Sequence, residues 1–363
     1  MTMYRAGIVG LGVGKRHAGA YTGSDATDLV AIADLDAALL DEVGRTFEVP
    51  HRYTSLEAML EHETLDIVSV ATPCQHHAPM VIAAAEARPK AIICEKPMAP
   101  DMGGVEAMIA ACDEHGVKLV ISHMRRQLPQ FAHARRLIAE GAIGRPLACT
   151  VSAQEGGLLN QGSHVVDLVR FMLADPAVEW AVGQVQRETD RYERALPVED
   201  LCGGVIAFEG GTRLVLDVDI GANPTIGNWG FVLAGDEGVL RISTHSAHGR
   251  EAFDLHLTSS AHGEMDLAST EFPEVDPWVA QVDKLATWID GGPEHVQSIA
   301  RTLPSHQALM AIYESARTRS RVTLPLSTRR SPLEAMIEDG QLTVRYPGAY
   351  DIRHAGVYPP VEA

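Results

Sequence analysis

The sequence predicts an α/β protein: an N-terminal doubly wound parallel sheet, followed by a C-terminal α+β domain with a large, mainly antiparallel open sheet. Three observations carry that expectation. Up to Ile121, short apolar strands alternate with helices of roughly ten to fifteen residues, the pattern of βαβ units. The first strand runs directly into a glycine-rich turn and then a helix. From Pro146 onward, strand-like runs follow one another across short turns, as antiparallel strands do. A chain of 363 residues is long enough for two cores, and the expected divisions are 1–122, 123–327 and a C-terminal extended arm, 328–363.

In chain order, Tyr4–Val9 reads as the first strand and Lys15–Thr22 as the first helix. Between them lies Gly10-Leu11-Gly12-Val13-Gly14. Gly10 permits a tight turn, Gly12 lets backbone approach a pyrophosphate, and the helix N-terminus offers free N–H groups to phosphate. The third glycine of a GxGxxG pattern is displaced, because position 15 is Lys. Asp28–Asp34 is the second strand and ends on an acid about twenty residues after the turn, where a carboxylate accepts ribose hydroxyls and repels a 2′-phosphate. Leu35 follows, so NAD is expected over NADP. Asp34 could alternatively cap a helix at Ala37–Gly44.

Asp66–Ala71, Ala91–Cys94 and Val117–Ile121 are the next strands, with helices at Pro79–Ala87 and Val105–His115. The rims after these strands carry Thr72-Pro73, His76-His77 and Glu95-Lys96-Pro97. In an open parallel sheet ligands bind outside the carboxyl ends of the strands, which brings Lys96 within reach of a ligand. No Asp, Glu or Cys stands at ligand spacing from the His76-His77 pair, so no metal is expected.

After Ile121 the pattern changes. Pro129–Gly141 is an amphipathic helix. Strand-like runs follow at Leu147–Ser152, Val178–Val185, Gly204–Phe208, Arg213–Ile220, Trp229–Ala234, Val239–Ile242 and Phe253–Leu257. Helices near Trp278–Asp290 and Ser305–Arg317 precede Val322-Thr323-Leu324-Pro325. A helix from about Leu158 would place Asn160, His164 and Asp167 at i, i+4 and i+7 on one face. Imidazole exchanges a proton near neutrality without a large shift.

Composition narrows the functional class. The chain is 46% hydrophobic and 21% charged, as soluble globular proteins are. A formal net charge of −18 argues against nucleic acid or an anionic membrane as partner. The five cysteines are scattered without a CxxC pair, which fits free thiols in a reducing cytoplasm. No signal peptide is expected ahead of the strand at Tyr4, and no apolar run approaches the ~20 residues of a membrane span.

Taken together, these residues resemble the glucose-fructose oxidoreductase/inositol dehydrogenase/MocA family of NAD(P)-dependent oxidoreductases. The matching residues are Gly10-Leu11-Gly12, Asp34, Ala71-Thr72-Pro73…His77, Glu95-Lys96-Pro97 and His123-Met124-Arg125-Arg126. They continue with Gly141-Ala142-Ile143-Gly144-Arg145-Pro146, Asn160…His164…Asp167 and His306…Ser315…Val322-Thr323-Leu324-Pro325. The resemblance implies a Rossmann domain holding NAD through Gly10, Leu11, Gly12, Val13, Gly14, Asp34, Thr72, Pro73, His77, Glu95 and Lys96. It implies Lys96 and His164 as proton-transfer and alkoxide-stabilising groups, with Asn160 beside them. His123, Arg125, Arg126, Asn160 and His164 would contact a small polyhydroxy substrate: a sugar, polyol or sugar acid.

Many relatives carry Asp where this chain has Asn160, which removes a carboxylate that would raise the pKa of His164. The segment between Pro146 and Gly156 is shorter than the family's, which implies a more open pocket. A homodimer or homotetramer formed through the C-terminal sheet is implied as well. Two other activities use the same residues: a glycosidase that oxidises a sugar transiently with retained NAD, and a non-catalytic NAD- or sugar-sensing protein.

Overall fold

A computed structural model describes residues 3–153, 156–218, 229–247 and 250–353. It divides into two compact units, 1–127 with 275–302 and 128–274 with 303–363. The units interleave in sequence. Residues 275–302, expected with the second domain, cluster with the first.

The first unit holds β1 (Tyr4–Val9), β2 (Thr27–Ala33), β3 (His51–Tyr53), β4 (Ile67–Val70), β5 (Ala91–Cys94) and β6 (Lys118–Ile121). All pairings are parallel, in the order β3-β2-β1-β4-β5-β6. The order reverses between β1 and β4, and crevices form at such a switch point. Apart from β3, whose His51 and Arg52 are exposed, the strands are buried on both faces, which explains their apolar runs. The connecting helices are α1 (Gly14–Gly23), α2 (Ala37–Thr46), α3 (Leu56–His62), α4 (His77–Glu86) and α5 (Met102–His115). Side-chain caps set the starts of α2, α3 and α5: Asp36 accepts from the Ala38 and Leu39 N–H groups, Ser55 from Ala58 and Asp101 from Gly104. The helix Pro277–Ile289 buries Val282, Leu285 and Ala286 in the core that contains Ile8, Ile32, Ile67, Ile93 and Val120. That shared core is why 275–302 belong here.

The second unit begins with α6 (Pro129–Ala139), β7 (Pro146–Ala153) and α7 (Ser163–Met172). There follow β8 (Val178–Gln186), β9 (Thr189–Glu193), β10 (Leu196–Pro197), β11 (Leu201–Phe208), β12 (Arg213–Val218), β13 (Trp229–Gly235), β14 (Gly238–Ala247), β15 (Arg250–Ser259) and β16 (Gly263–Leu267). In chain order α8 is the helix Pro277–Ile289 of the first unit, and α9 (Ile299–Thr318), β17 (Val322–Thr323), α10 (Pro332–Glu338) and β18 (Tyr346–Asp351) complete the described elements. Nine strands form one sheet, β16-β15-β14-β13-β7-β12-β11-β8-β17, antiparallel except for the β12–β7 pair.

Alternation divides the faces of this sheet. Cys149, Ile206, Leu214, Phe231 and Leu240 are buried, and Phe131 of α6 meets Phe231 and Phe253 edge-on. The opposite face carries a row in register across five strands: Val182, Val205, Val215, Thr150 and Val232.

The region after 327 is not simply an extended arm. It contains α10, capped by Ser331, and β18, which pairs parallel to β9 in a three-stranded sheet. The end of the expected strand Arg213–Ile220 and the last ten residues of the chain lie outside the described residues.

Candidate functional site

Each nucleotide-domain residue singled out in the sequence lies at or beyond the carboxyl end of a parallel strand, except His77 and Gly14, which open helices. Gly10 closes β1 with φ 84°, and a Cβ there would sit 2.7 Å from the Ala71 carbonyl carbon and the Thr72 nitrogen. Only glycine suits that position. A Cβ at Gly12 would meet nothing within 4 Å, so this stretch of backbone faces open space. Gly14 opens α1 and packs on β1, its added Cβ falling 3.1 Å from Ile8 Cγ2. It therefore does the helix–strand packing of the displaced third glycine. Val13, the N-cap, supplies no side-chain hydrogen bond to the first turn.

Asp34 follows β2. Its Oδ2 accepts the Leu11 N–H at 2.6 Å and its Oδ1 the Asp36 N–H at 2.8 Å. The capping of α2 falls to Asp36, two residues beyond the alternative weighed from sequence. Each Asp34 oxygen keeps a second lone pair for a hydroxyl donor. Thr72 Oγ1 is buried with no hydrogen-bond partner among the described residues. Open backbone at Gly12, a helix start without a side-chain cap, the Asp34 carboxylate and this buried hydroxyl fit a dinucleotide.

Glu95 and Lys96 follow β5. Glu95 is 4% exposed; its Oε1 lies 3.0 Å from His17 Nε2, and His17 Nδ1 lies 3.0 Å from Ser69 Oγ, which also meets the Tyr21 hydroxyl at 2.7 Å. Burial pushes the Glu95 carboxyl up, but the hydrogen bond and charge of His17 and the charge of Lys96 outweigh it, leaving the carboxyl below its ordinary value. The carboxylate at the base of the Lys96 rim is therefore held ionised. The Lys96–Pro97 peptide is cis.

His77 is buried, with Nδ1 2.8 Å from the Pro97 carbonyl and Nε2 2.8 Å from the Thr72 carbonyl. Burial lowers its pKa and the two carbonyls oppose that. Both ring nitrogens face backbone carbonyls; the neutral ring has one N–H and donates to one of the two, so His77 packs between the Thr72-Pro73 rim and the Pro97 rim.

The turn after β6 divides the substrate candidates. His123 is buried and Arg125 half-buried. Arg126 is 1% exposed and donates from Nη1 to the Val296 carbonyl at 2.8 Å. That anchor is structural, because it ties the Met124–Gln127 turn to the segment before α9. Below it, Lys284 Nζ donates to Gln127, Gln127 to Gln297, and Gln297 to Gln281.

In the second unit the expected helix is resolved into two parts. Leu158–Gly162 is a π-helical turn and α7 begins only at Ser163. His164 and Asp167, three residues apart within α7, keep neighbouring positions. Asn160 lies in the wider turn, so the expected i, i+4, i+7 stripe does not extend to it. Its carbonyl accepts the Ser163 hydroxyl at 2.8 Å. His164 is 6% exposed and Asp167 1%. Asp167 Oδ1 accepts from Ser305 Oγ at 3.2 Å, and Arg170 Nη1 donates to the same hydroxyl at 3.0 Å. Asp167 thereby joins α7 to α9.

Sequence reasoning missed His17, Ser69, Glu199 and Tyr313. His17 alone carried a signal, a polar residue one turn into the helix after the glycine turn. Among the described residues no group of three or more His, Cys, Asp and Glu could hold a metal ion, and no helix is long and apolar enough to cross a membrane.

Comparison with known proteins follows the two units. Residues 4–123 match the model of an oxidoreductase family with an NAD-binding Rossmann fold, and residues 150–241 match the GFO/IDH/MocA C-terminal domain. The chain is 26% identical over 362 residues to D-apiose dehydrogenase of Paraburkholderia graminis, covering 93% of this chain and 94% of that protein. It is 30% identical over 188 residues to inositol 2-dehydrogenase of Rhizobium meliloti, covering 48% and 56%. In fold it is similar to an oxidoreductase from Agrobacterium radiobacter solved with NAD+, L-tartaric acid and magnesium, with TM-score 0.75, 22% identity and coverage of 89% and 98%. It is also similar to the WlbA dehydrogenase of Bordetella pertussis solved with NADH and UDP-GlcNAcA, with TM-score 0.72, 24% identity and coverage of 90% and 100%.

Proposed function

We propose that this chain, which belongs to the GFO/IDH/MocA family of NAD-binding oxidoreductases, transfers a hydride between nicotinamide and a hydroxyl or keto carbon of a sugar, polyol or sugar acid. The observation that carries this reading is the convergence of Gly10–Gly14, Asp34, Thr72 and Glu95-Lys96 on the carboxyl edge of one parallel sheet. When bound there, the nicotinamide supplies the hydride acceptor or donor. The Asp34 carboxylate favours NAD, because its charge opposes a 2′-phosphate.

Oxidation of a carbinol requires loss of the hydroxyl proton. The Lys96 ammonium stabilises the developing alkoxide charge, and the His164 imidazole accepts the proton. Asn160 contributes an amide to substrate, where a carboxylate would have carried charge. Arg125 is the better candidate of the two arginines for an acidic substrate, because Arg126 is anchored on the Val296 carbonyl.

The test is a nicotinamide-absorbance screen over sugars, polyols and sugar acids, with Lys96→Ala and His164→Ala alongside. Each substitution is expected to lower kcat by ~10²–10⁴. Turnover unchanged in Lys96→Ala would remove that residue from the mechanism, and an absence of nicotinamide-linked turnover across the screen would overturn the activity. We also read the protein as a cytoplasmic homo-oligomer that covers the Val182–Val232 row with a second copy; a monomer by light scattering at micromolar concentration would refute that assembly.

A further inference from the structure

We infer that Glu199 and Tyr313 are positioning residues: together they clamp the backbone of the π-turn at Leu158-Leu159 and so set where α7 presents His164. The inference rests on the reading of His164 as the proton-transfer residue.

The first N–H groups of a helical turn have no partner within it and need one from elsewhere. Here the residue before the turn is Gly157, at φ 71°, which has no side chain to offer. Two distant residues supply what it cannot. Glu199 Oε1 accepts the Leu158 N–H at 2.5 Å, and the Tyr313 hydroxyl accepts the Leu159 N–H while donating to Glu199 Oε2 at 2.8 Å. Glu199 and Tyr313 are each 1% exposed, so these bonds do not compete with water. Arg191, also buried, holds the Glu199 backbone by donating to the Glu199 and Asp200 carbonyls at 3.3 Å. Gly157 itself is fitted to the clamp: a Cβ there would fall 2.5 Å from Val198 Cγ1 and 3.4 Å from Glu199 Oε1.

The consequence for His164 is geometric. A π-turn closes i to i+5 where an α-turn closes i to i+4, so the choice between them shifts the phase of every residue that follows. If Leu158 and Leu159 were released, the turn could relax to α-helical closure. Asn160 and His164 would then change their relative position. The clamp selects the wider turn. Burial pushes the Glu199 carboxyl up, and the Leu158 N–H, its own N–H, Tyr313 and Arg191 oppose that; in either protonation state an oxygen remains to accept the Leu158 N–H.

The experiment compares full-length wild type with Glu199→Ala, Glu199→Gln and Tyr313→Phe by amide hydrogen exchange, NAD affinity and steady-state kinetics. Glu199→Ala is expected to lose exchange protection in the peptide 158–164 and to lower kcat by ~10–100-fold, the scale of a small misplacement of a catalytic group. NAD affinity, set by the first unit, is expected to stay within about twofold. Glu199→Gln keeps an oxygen for the Leu158 N–H and is expected to restore protection and most of kcat. Wild-type protection at 158–164 in Glu199→Ala would overturn the clamp, as would a Glu199→Gln variant no better than Glu199→Ala. If Glu199→Ala does not fold, Tyr313→Phe decides, with loss of protection supporting the clamp and full protection overturning it. Unchanged turnover in His164→Ala would instead sink the catalytic reading, while the exchange result still judges the clamp.

Discussion

Replacing His295 by Gln should remove a pH dependence of stability whose size follows from the structure. His295 is 1% exposed in the network beneath the Met124–Gln127 turn. Its Nδ1 accepts the Gln297 N–H at 3.0 Å, and its Nε2 lies 3.1 Å from the Gln281 carbonyl, to which it donates. That pattern is satisfied only by the neutral ring. A second proton would destroy the acceptor and bury a positive charge near Lys284 and Arg126. Burial, and to a lesser degree those two cations, bring the pKa from 6.5 down to about 4, against the opposing Gln281 carbonyl and Glu294 charge. The sign follows by linkage: below pH 6.5 the unfolded chain binds a proton that the folded chain refuses. Stability should therefore fall as the pH drops from 6.5, and the loss is complete below about 4. That difference corresponds to about 3 kcal/mol. Urea unfolding of wild type and His295→Gln, followed by tryptophan fluorescence from pH 7.5 to about 4, isolates the effect. The variant loses one hydrogen bond and starts less stable by ~1–3 kcal/mol. The difference between the two curves cancels the other titrating groups, so the gap should narrow by about 3 kcal/mol at the acid end. Parallel curves would refute the reasoning.

The glycine turn offers a paired prediction. Gly12→Ala should leave the melting temperature nearly unchanged, since its Cβ meets nothing, yet weaken NAD binding by roughly tenfold or more in a fluorescence titration. Gly10→Ala, at φ 84° and 2.7 Å from the Ala71 carbonyl carbon, should lower stability by at least ~1–2 kcal/mol as well as binding; equal melting temperatures for the two variants would contradict the geometry. Asp34→Ser removes the charge that opposes a 2′-phosphate and should raise NADP use relative to NAD by about tenfold or more; an unchanged kcat/KM ratio for the two cofactors would argue against Asp34 as the discriminator.

What the sequence made legible was what repeats or stands at a strand end. The parallel sheet was readable because β1, β2, β4, β5 and β6 are buried on both faces, so each left an apolar run. The strand β3 left none, because His51 and Arg52 on it are exposed. The displaced third glycine became intelligible only when Gly14 was seen against Ile8, a contact that no spacing rule contains. The clustering of residues 275–302 with the first unit was hidden for a related reason. Residues 275–302 have ordinary helical periodicity, and periodicity states which face is apolar without stating which core it joins.

Polar residues that hold the site were less legible still. His17 meets Glu95 across 78 positions, and Glu199 meets Leu158 across 41. A single buried acid or imidazole has no period to betray it, and in sequence Glu199 looks like any acid in a loop. The polar helical stripe that sequence did suggest, Asn160 to Asp167, failed at its first member because the turn there is π-helical. Such a turn departs from the 3.6-residue period, and here its first N–H groups are met by Glu199 and Tyr313. The place where periodic reasoning broke is therefore the place where Glu199 and Tyr313 act, and the failure itself locates the clamp.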